Sequence, residues 1–136
     1  MGAVKVVADT NVVISALLFG GAPGKLIALW QSGVIKPVAS KEIVDEYLRV
    51  LTYPKFKLLE EEINYLLYQE ILPFFDIIDV QQGPQILEKD PRDGKFIRCA
   101  LAANAIYIIS GGQHLLTLKS YQKIKILSPA DFIKRF

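Results

Sequence analysis

The chain has 136 residues, 51% hydrophobic and 22% charged, with a formal net charge of +2 and a sequence pI near 8.6. That length accommodates one domain with a substantial core, 1–136, and the apolar composition excludes a disordered chain. The slight positive charge permits a phosphate-bearing partner without demanding one. A single cysteine, Cys99, excludes an internal disulfide framework and a multi-cysteine zinc site. Its apolar helical neighbours predict a small core residue. The longest apolar run, Val12 to Phe19, is interrupted by Ser15 and falls far short of the ~20 residues that span a bilayer. No targeting segment is visible, so the expectation is a cytoplasmic protein without a membrane partner.

The chain opens on Val4, Val6, Val7 and Ala8, a run rich in β-branched residues that predicts a buried strand of a parallel sheet. Asp9 follows where that strand would end, and ligands bind at the carboxyl ends of strands in open α/β sheets. Asn11 is read as the cap of a helix through Val12, Ile14, Ala16 and Leu17. A carboxylate held between a strand and a helix costs stability unless a cation or a set of donors meets it. The competing reading is that Asp9 merely helps to cap the helix.

Gly20-Gly21-Ala22-Pro23-Gly24-Lys25 superficially suggests a phosphate-cradling loop, but Phe19 stands where the first glycine is needed and Leu26 where Ser or Thr is needed. The stretch is read as a turn into a helix from Pro23 to Gln31, stopped by Ser32-Gly33. Val34, Ile35, Pro37 and Val38 predict a second strand, with Pro37 marking a strand end or an edge. Ser40 then caps a helix from Lys41 to Leu51 with one apolar face of Ile43, Val44, Tyr47, Leu48, Val50 and Leu51. On a helical wheel Glu46 falls roughly 120° from the centre of that face and Asp45 about 145°, so the wheel favours Glu46 only slightly as an acid reaching a cleft. Residues 60 to 72 predict a further helix whose first-turn glutamates, Glu60 to Glu62, suit the helix dipole. Asp76 to Val80 reads as a brief strand and Gln81 to Gln85 as a polar loop.

Asp90-Pro91-Arg92-Asp93-Gly94-Lys95-Phe96 precedes a regular helix with Phe96, Ile97, Ala100, Leu101 and Ala103 on one face. Asp93 stands three and four places before Phe96 and Ile97 and projects from the first turn on the inward side. A capping box, with Asp90 as cap and Asp93 three places on, explains the same residues without chemistry. Asn104 ends the helix, Ile106 to Ile109 predict a strand, and Ile124 to Leu127 a last one. Ser128-Pro129-Ala130-Asp131 opens a closing helix.

Two chemistries of a strand-end aspartate fit poorly. A haloacid-dehalogenase phosphatase needs a second aspartate where Asn11 stands, and a receiver domain needs an acidic pair at the first strand, where Ala8 precedes Asp9. Asp9-Thr10-Asn11-Val12-Val13-Ile14-Ser15-Ala16-Leu17-Leu18 instead resembles the opening motif of the PIN-domain family, metal-dependent ribonucleases that include the VapC-like toxins of toxin–antitoxin pairs. Glu46 to Leu51 followed by Tyr53-Pro54-Lys55-Phe56 resembles that family's second segment, and the stretch through Asp93 and Phe96 its third. The resemblance implies a three-layer α/β/α fold around a mainly parallel sheet. It also implies Asp9, Glu46 and Asp93 as direct or water-mediated ligands of Mg²⁺ or Mn²⁺, with Thr10, Asn11 and Ser110 orienting them. RNA as substrate, an antitoxin partner and a homodimer are further implications. Where the family has a Thr-Gly-Asp turn and a further acid, this chain has Ser110-Gly111-Gly112 and then His114. The fourth acid is therefore absent, which predicts weak or single-metal binding. His114 is a candidate for a metal or phosphate contact, or simply a surface or capping histidine.

Overall fold

The computed structural model describes residues 2–80 and 91–136. Six strands form one sheet: β1 (Val4–Ala8), β2 (Ile35–Ser40), β3 (Asp76–Ile78), β4 (Tyr107–Ile109), β5 (Ser120–Tyr121) and β6 (Ile124–Leu127). Their order across the sheet is β3-β2-β1-β4-β6-β5, with every pair parallel except β5 with β6. The seven helices among the described residues are α1 (Thr10–Leu18), α2 (Gly21–Gln31), α3 (Lys41–Leu51), α4 (Glu60–Tyr65), α5 (Pro91–Ala103), α6 (Gln113–Leu118) and α7 (Pro129–Ile133). A π-helical segment, Leu66–Ile71, prolongs α4.

Successive side chains of a strand point to opposite faces of a sheet. Val6, Val7 and Ala8 are nevertheless all buried, at 1%, 0% and 2% exposure, so helices cover both faces of β1. Helix α5 lies across β1, β2 and β4, while α2 packs on β2, α1 and α7. This is the expected layered α/β architecture. Trp30 meets Phe75 edge-on at 5.2 Å, and Phe75 in turn meets Tyr47 at 6.2 Å, so α2 and α3 are joined through one aromatic cluster. Burying each such side chain contributes about 1.5–3 kcal/mol, which is how short helices of modest propensity are held in place.

From β1 the chain adds β2 and then β3 on one side, but β4 and β6 lie on the other. The direction of winding therefore reverses between β1 and β4, and a crevice opens there at the carboxyl ends of the strands. Asp9 follows β1 and Ser110 follows β4, so both residues border that crevice.

Several boundaries differ from the sequence-based expectation, each for a local reason. Asp9, not Asn11, is the cap of α1, since its side chain accepts the Val12 N–H at 3.0 Å. Helix α2 starts at Gly21 rather than Pro23, after Gly20 and Gly21 take positive φ values of 77° and 66° that suit glycine. Pro37 pairs with Val6 inside the sheet, yet β3 joins β2 only from Val38 onward, so proline's missing N–H falls where β2 has no second neighbour. Ser40 and Ser128 cap α3 and α7 through the N–H groups of Ile43 and Asp131. The polar loop expected over Gln81 to Gln85 and the cap expected at Asp90 lie outside the described residues.

Candidate active site

The sheet register brings the first two site residues together. Ala8 pairs with Ile109, so the next residues of each strand, Asp9 and Ser110, come side by side. The Asp9 N–H donates to the Ile109 carbonyl at 2.9 Å, and the Ser110 hydroxyl donates to Asp9 Oδ2. Both residues are buried, at 6% and 0% exposure. The Gly112 N–H donates to Ser110 Oγ at 2.9 Å, which orients the hydroxyl. Burial raises the Asp9 pKa above its ordinary value, and the nearby charge of Asp93 pushes the same way. The Ser110 hydroxyl and the N–H groups of Val12 and Gly111 pull in the opposite direction.

Helix α3 supplies the second acid. Tyr47 is fully buried and its hydroxyl donates to the Ala8 carbonyl at 2.7 Å, fastening α3 to the end of β1. Burial keeps the Tyr47 phenol protonated far above its ordinary range, so this donor persists at any working pH. Glu46, one residue earlier, accepts the Thr10 hydroxyl on Oε2. Its other oxygen lies 2.7 Å from Lys95 Nζ and 3.5 Å from the Arg49 guanidinium. Asp45, the alternative on the wheel, is exposed.

Asp93 occupies the first turn of α5, half-buried, and stands close enough to Asp9 for the two charges to interact. Asp93 is thus within electrostatic reach of Asp9, and Thr10 links Asp9's neighbourhood to Glu46. Asn11 is exposed and borders a separate hollow with Ile14, Ser15, Phe19, Lys55 and Phe56. His114 is exposed in the first turn of α6. Asp90 lies outside the described residues. Gly112 has an ordinary backbone conformation, φ −87° and ψ 138°, and a Cβ there would sit 3.9 Å from Asp9 Oδ2. The position that lacks the fourth acid is therefore directly beside the buried aspartate.

Two carboxylates that repel each other in a partly buried crevice suit a hard divalent cation. Mg²⁺ takes oxygen ligands and commonly uses only one or two carboxylates, keeping water for the rest. Among the described residues no group of three Asp, Glu, His or Cys side chains is arranged to close around one ion. Asp9 and Asp93 are the carboxylates that an ion with several waters would use here, and the oxygens of Asp9, like those of Glu46, also have partners within the protein.

Sequence reasoning missed Lys95. It is 8% exposed although lysine is rarely buried, and its ammonium faces Glu46. The available signal was its place one helical turn before Cys99, which is fully buried. Cys99 itself is a core residue, its thiol pKa pushed up to about 12 by burial, which makes it inert.

This arrangement, a parallel α/β sheet with acids at the reversal of strand order, defines an α/β domain with an acidic crevice. The PIN domain profile matches residues 5–114, and the chain belongs to the PIN domain family. An uncharacterized protein of Methanocaldococcus jannaschii is 33% identical over 145 residues, covering 98% of this chain and 92% of that protein. The crystal structure of VapBC2 from Rickettsia felis bound to a DNA fragment from their promoter has the same fold, with a TM-score of 0.61 at 14% identity over 90% of this chain and 96% of that one.

Proposed function

We propose that this protein is a divalent-metal-dependent ribonuclease, the toxin member of a toxin–antitoxin pair, working in the cytoplasm. The observation that carries the reading is a buried Asp9 carboxylate at the mouth of the switch-point crevice, sharing its field with Asp93. PIN domains are generally ribonucleases, and the preference for RNA over DNA rests on that family likeness rather than on any residue that reads a sugar.

In this reading Asp9 and Asp93 hold Mg²⁺ or Mn²⁺, and Glu46 bounds the site from α3. Bound there, the ion supplies Lewis acidity toward a phosphodiester and activates water as the nucleophile. Ser110 and the backbone N–H groups keep the Asp9 carboxylate aimed at the crevice, and Thr10 keeps Glu46 turned toward it. Lys41 and Arg98 line an adjoining cleft with Ser40, Glu42 and Asp79, where a polyanion's charge is met. Gly112 leaves the site one carboxylate short of the family pattern, so cleavage is slow. The antitoxin assignment follows the VapBC2 likeness. Exposed Phe19, Leu59, Tyr65 and Tyr68 supply apolar surface for that antitoxin or for a second copy in a homodimer.

The test is cleavage of single-stranded RNA by purified protein with Mn²⁺, beside Asp9→Asn. Activity present in the wild type and absent in the variant supports the nuclease. RNA bound equally by both and cut by neither selects the second reading, a PIN-fold binding protein without catalysis, which the missing acid at Gly112 favours.

A further inference from the structure

Lys95 lies in the second turn of α5, near the positive end of the helix dipole, where an ammonium gains nothing from the helix. It is nevertheless almost fully buried, with Nζ 2.7 Å from Glu46 Oε1 and 5.2 Å from the centre of the Phe96 ring. A charge withdrawn from water needs a strong partner, and Glu46 is one. Arg49 touches the same oxygen at 3.5 Å, but its side chain is 65% exposed and screened by solvent. The buried and exposed cations on Glu46 are therefore not equivalent.

We propose that Lys95 is a tethered cation that permanently fills the Glu46 side of the crevice, so that the centre takes a single divalent ion on the Asp9 side. The inference rests on reading the crevice as a metal site. Gly112 sharpens the division, because the Asp9 side has no further carboxylate at that position with which to draw in a second ion. Lys95 acts through Glu46 and is a positioning residue.

The experiment is Mn²⁺ binding to the full chain, followed by calorimetry and by the free-ion electron paramagnetic resonance signal, with no nucleic acid present. The wild type takes up one Mn²⁺. Lys95→Met removes the charge at similar length, and either binds the first ion at least about tenfold tighter or takes up a second. Lys95→Arg keeps wild-type stoichiometry, and Arg49→Met shifts affinity by less than about threefold because exposed charges are screened. Wild-type stoichiometry and affinity in Lys95→Met overturn the inference, as does an equal shift in Arg49→Met. If Lys95→Met does not fold, Glu46→Gln beside Asp9→Asn decides: the inference requires a large loss of affinity in Asp9→Asn and a loss below about threefold in Glu46→Gln, and equal losses overturn it. Absence of binding in both wild type and Lys95→Met removes the inference together with metal-dependent cleavage. Binding gained only in Lys95→Met supports the lysine as the group that excludes the ion, while the proposed metal dependence of the wild type fails.

Discussion

The two sides of the crevice handle negative charge in different ways. On the β1–β4 side, Asp9 is buried and met by a serine hydroxyl and backbone N–H groups, neutral donors that orient the carboxylate without cancelling its charge. On the α3–α5 side, Glu46 is met by two cations and a threonine hydroxyl. Neutral donors leave an acid still seeking a positive ion, whereas a buried ammonium satisfies it in advance. Equal formal charges therefore have unequal surroundings, and the proposed ion belongs to the first side.

The sharpest way to break this contrast is Ser110→Ala, which strips the Asp9 side of its side-chain donor. Mn²⁺ affinity is expected to fall by roughly 10- to 100-fold, the usual cost of losing a group that orients a ligand. A titration curve superimposable on the wild type would show that Ser110 does not set the carboxylate. Adding charge to the same side comes next. Gly112 needs no special backbone angle and a Cβ there makes ordinary contacts, 3.5 Å from Ser110 Oγ and 3.9 Å from Asp9 Oδ2, so Gly112→Asp fits the fold and raises Mn²⁺ affinity by about tenfold, with faster cleavage of RNA. Equal affinity and rate in the two proteins would mean that the missing acid is not what limits the site.

The smallest effect concerns stability without metal. Burial lifts the folded-state pKa of Asp9 above the unfolded 3.8, so between those values the folded chain binds more protons than the unfolded one. Stability from this group is present at the acid end of that window and falls as pH rises through the folded value. Urea midpoints measured across that range in chelator should decline for the wild type and flatten in Asp9→Asn. A parallel decline in both proteins would locate the titration elsewhere.

Much of this was legible from the residues. The run from Val4 to Ala8 announced a covered parallel strand, and its end fixed the position of Asp9. The wheel of α3 leaned toward Glu46 over Asp45, and in the fold Glu46 is half-buried beside the inward Tyr47 while Asp45 is exposed. Other features were hidden for physical reasons. A carboxylate can cap a helix and face a cleft at once, so the two readings of Asp9 set against each other are not exclusive: Oδ1 serves the helix, in place of Asn11, while Oδ2 meets Ser110. Lys95 was invisible because a charged residue in a helix ordinarily lies in solvent, and the packing of α5 against the sheet and α3 puts it inside. The short α6 and β5 carry too few residues for a periodicity to declare itself.

The hydrogen bond from Tyr47 to the Ala8 carbonyl joins the strand that ends in Asp9 to the helix that bears Glu46. With the Thr10 hydroxyl on Glu46 as a second bolt, the gap between those two acids is a property of these contacts rather than of the length of the connecting segment. An insertion around residues 19–21, in the connection between the two, is expected to leave that jaw width unchanged.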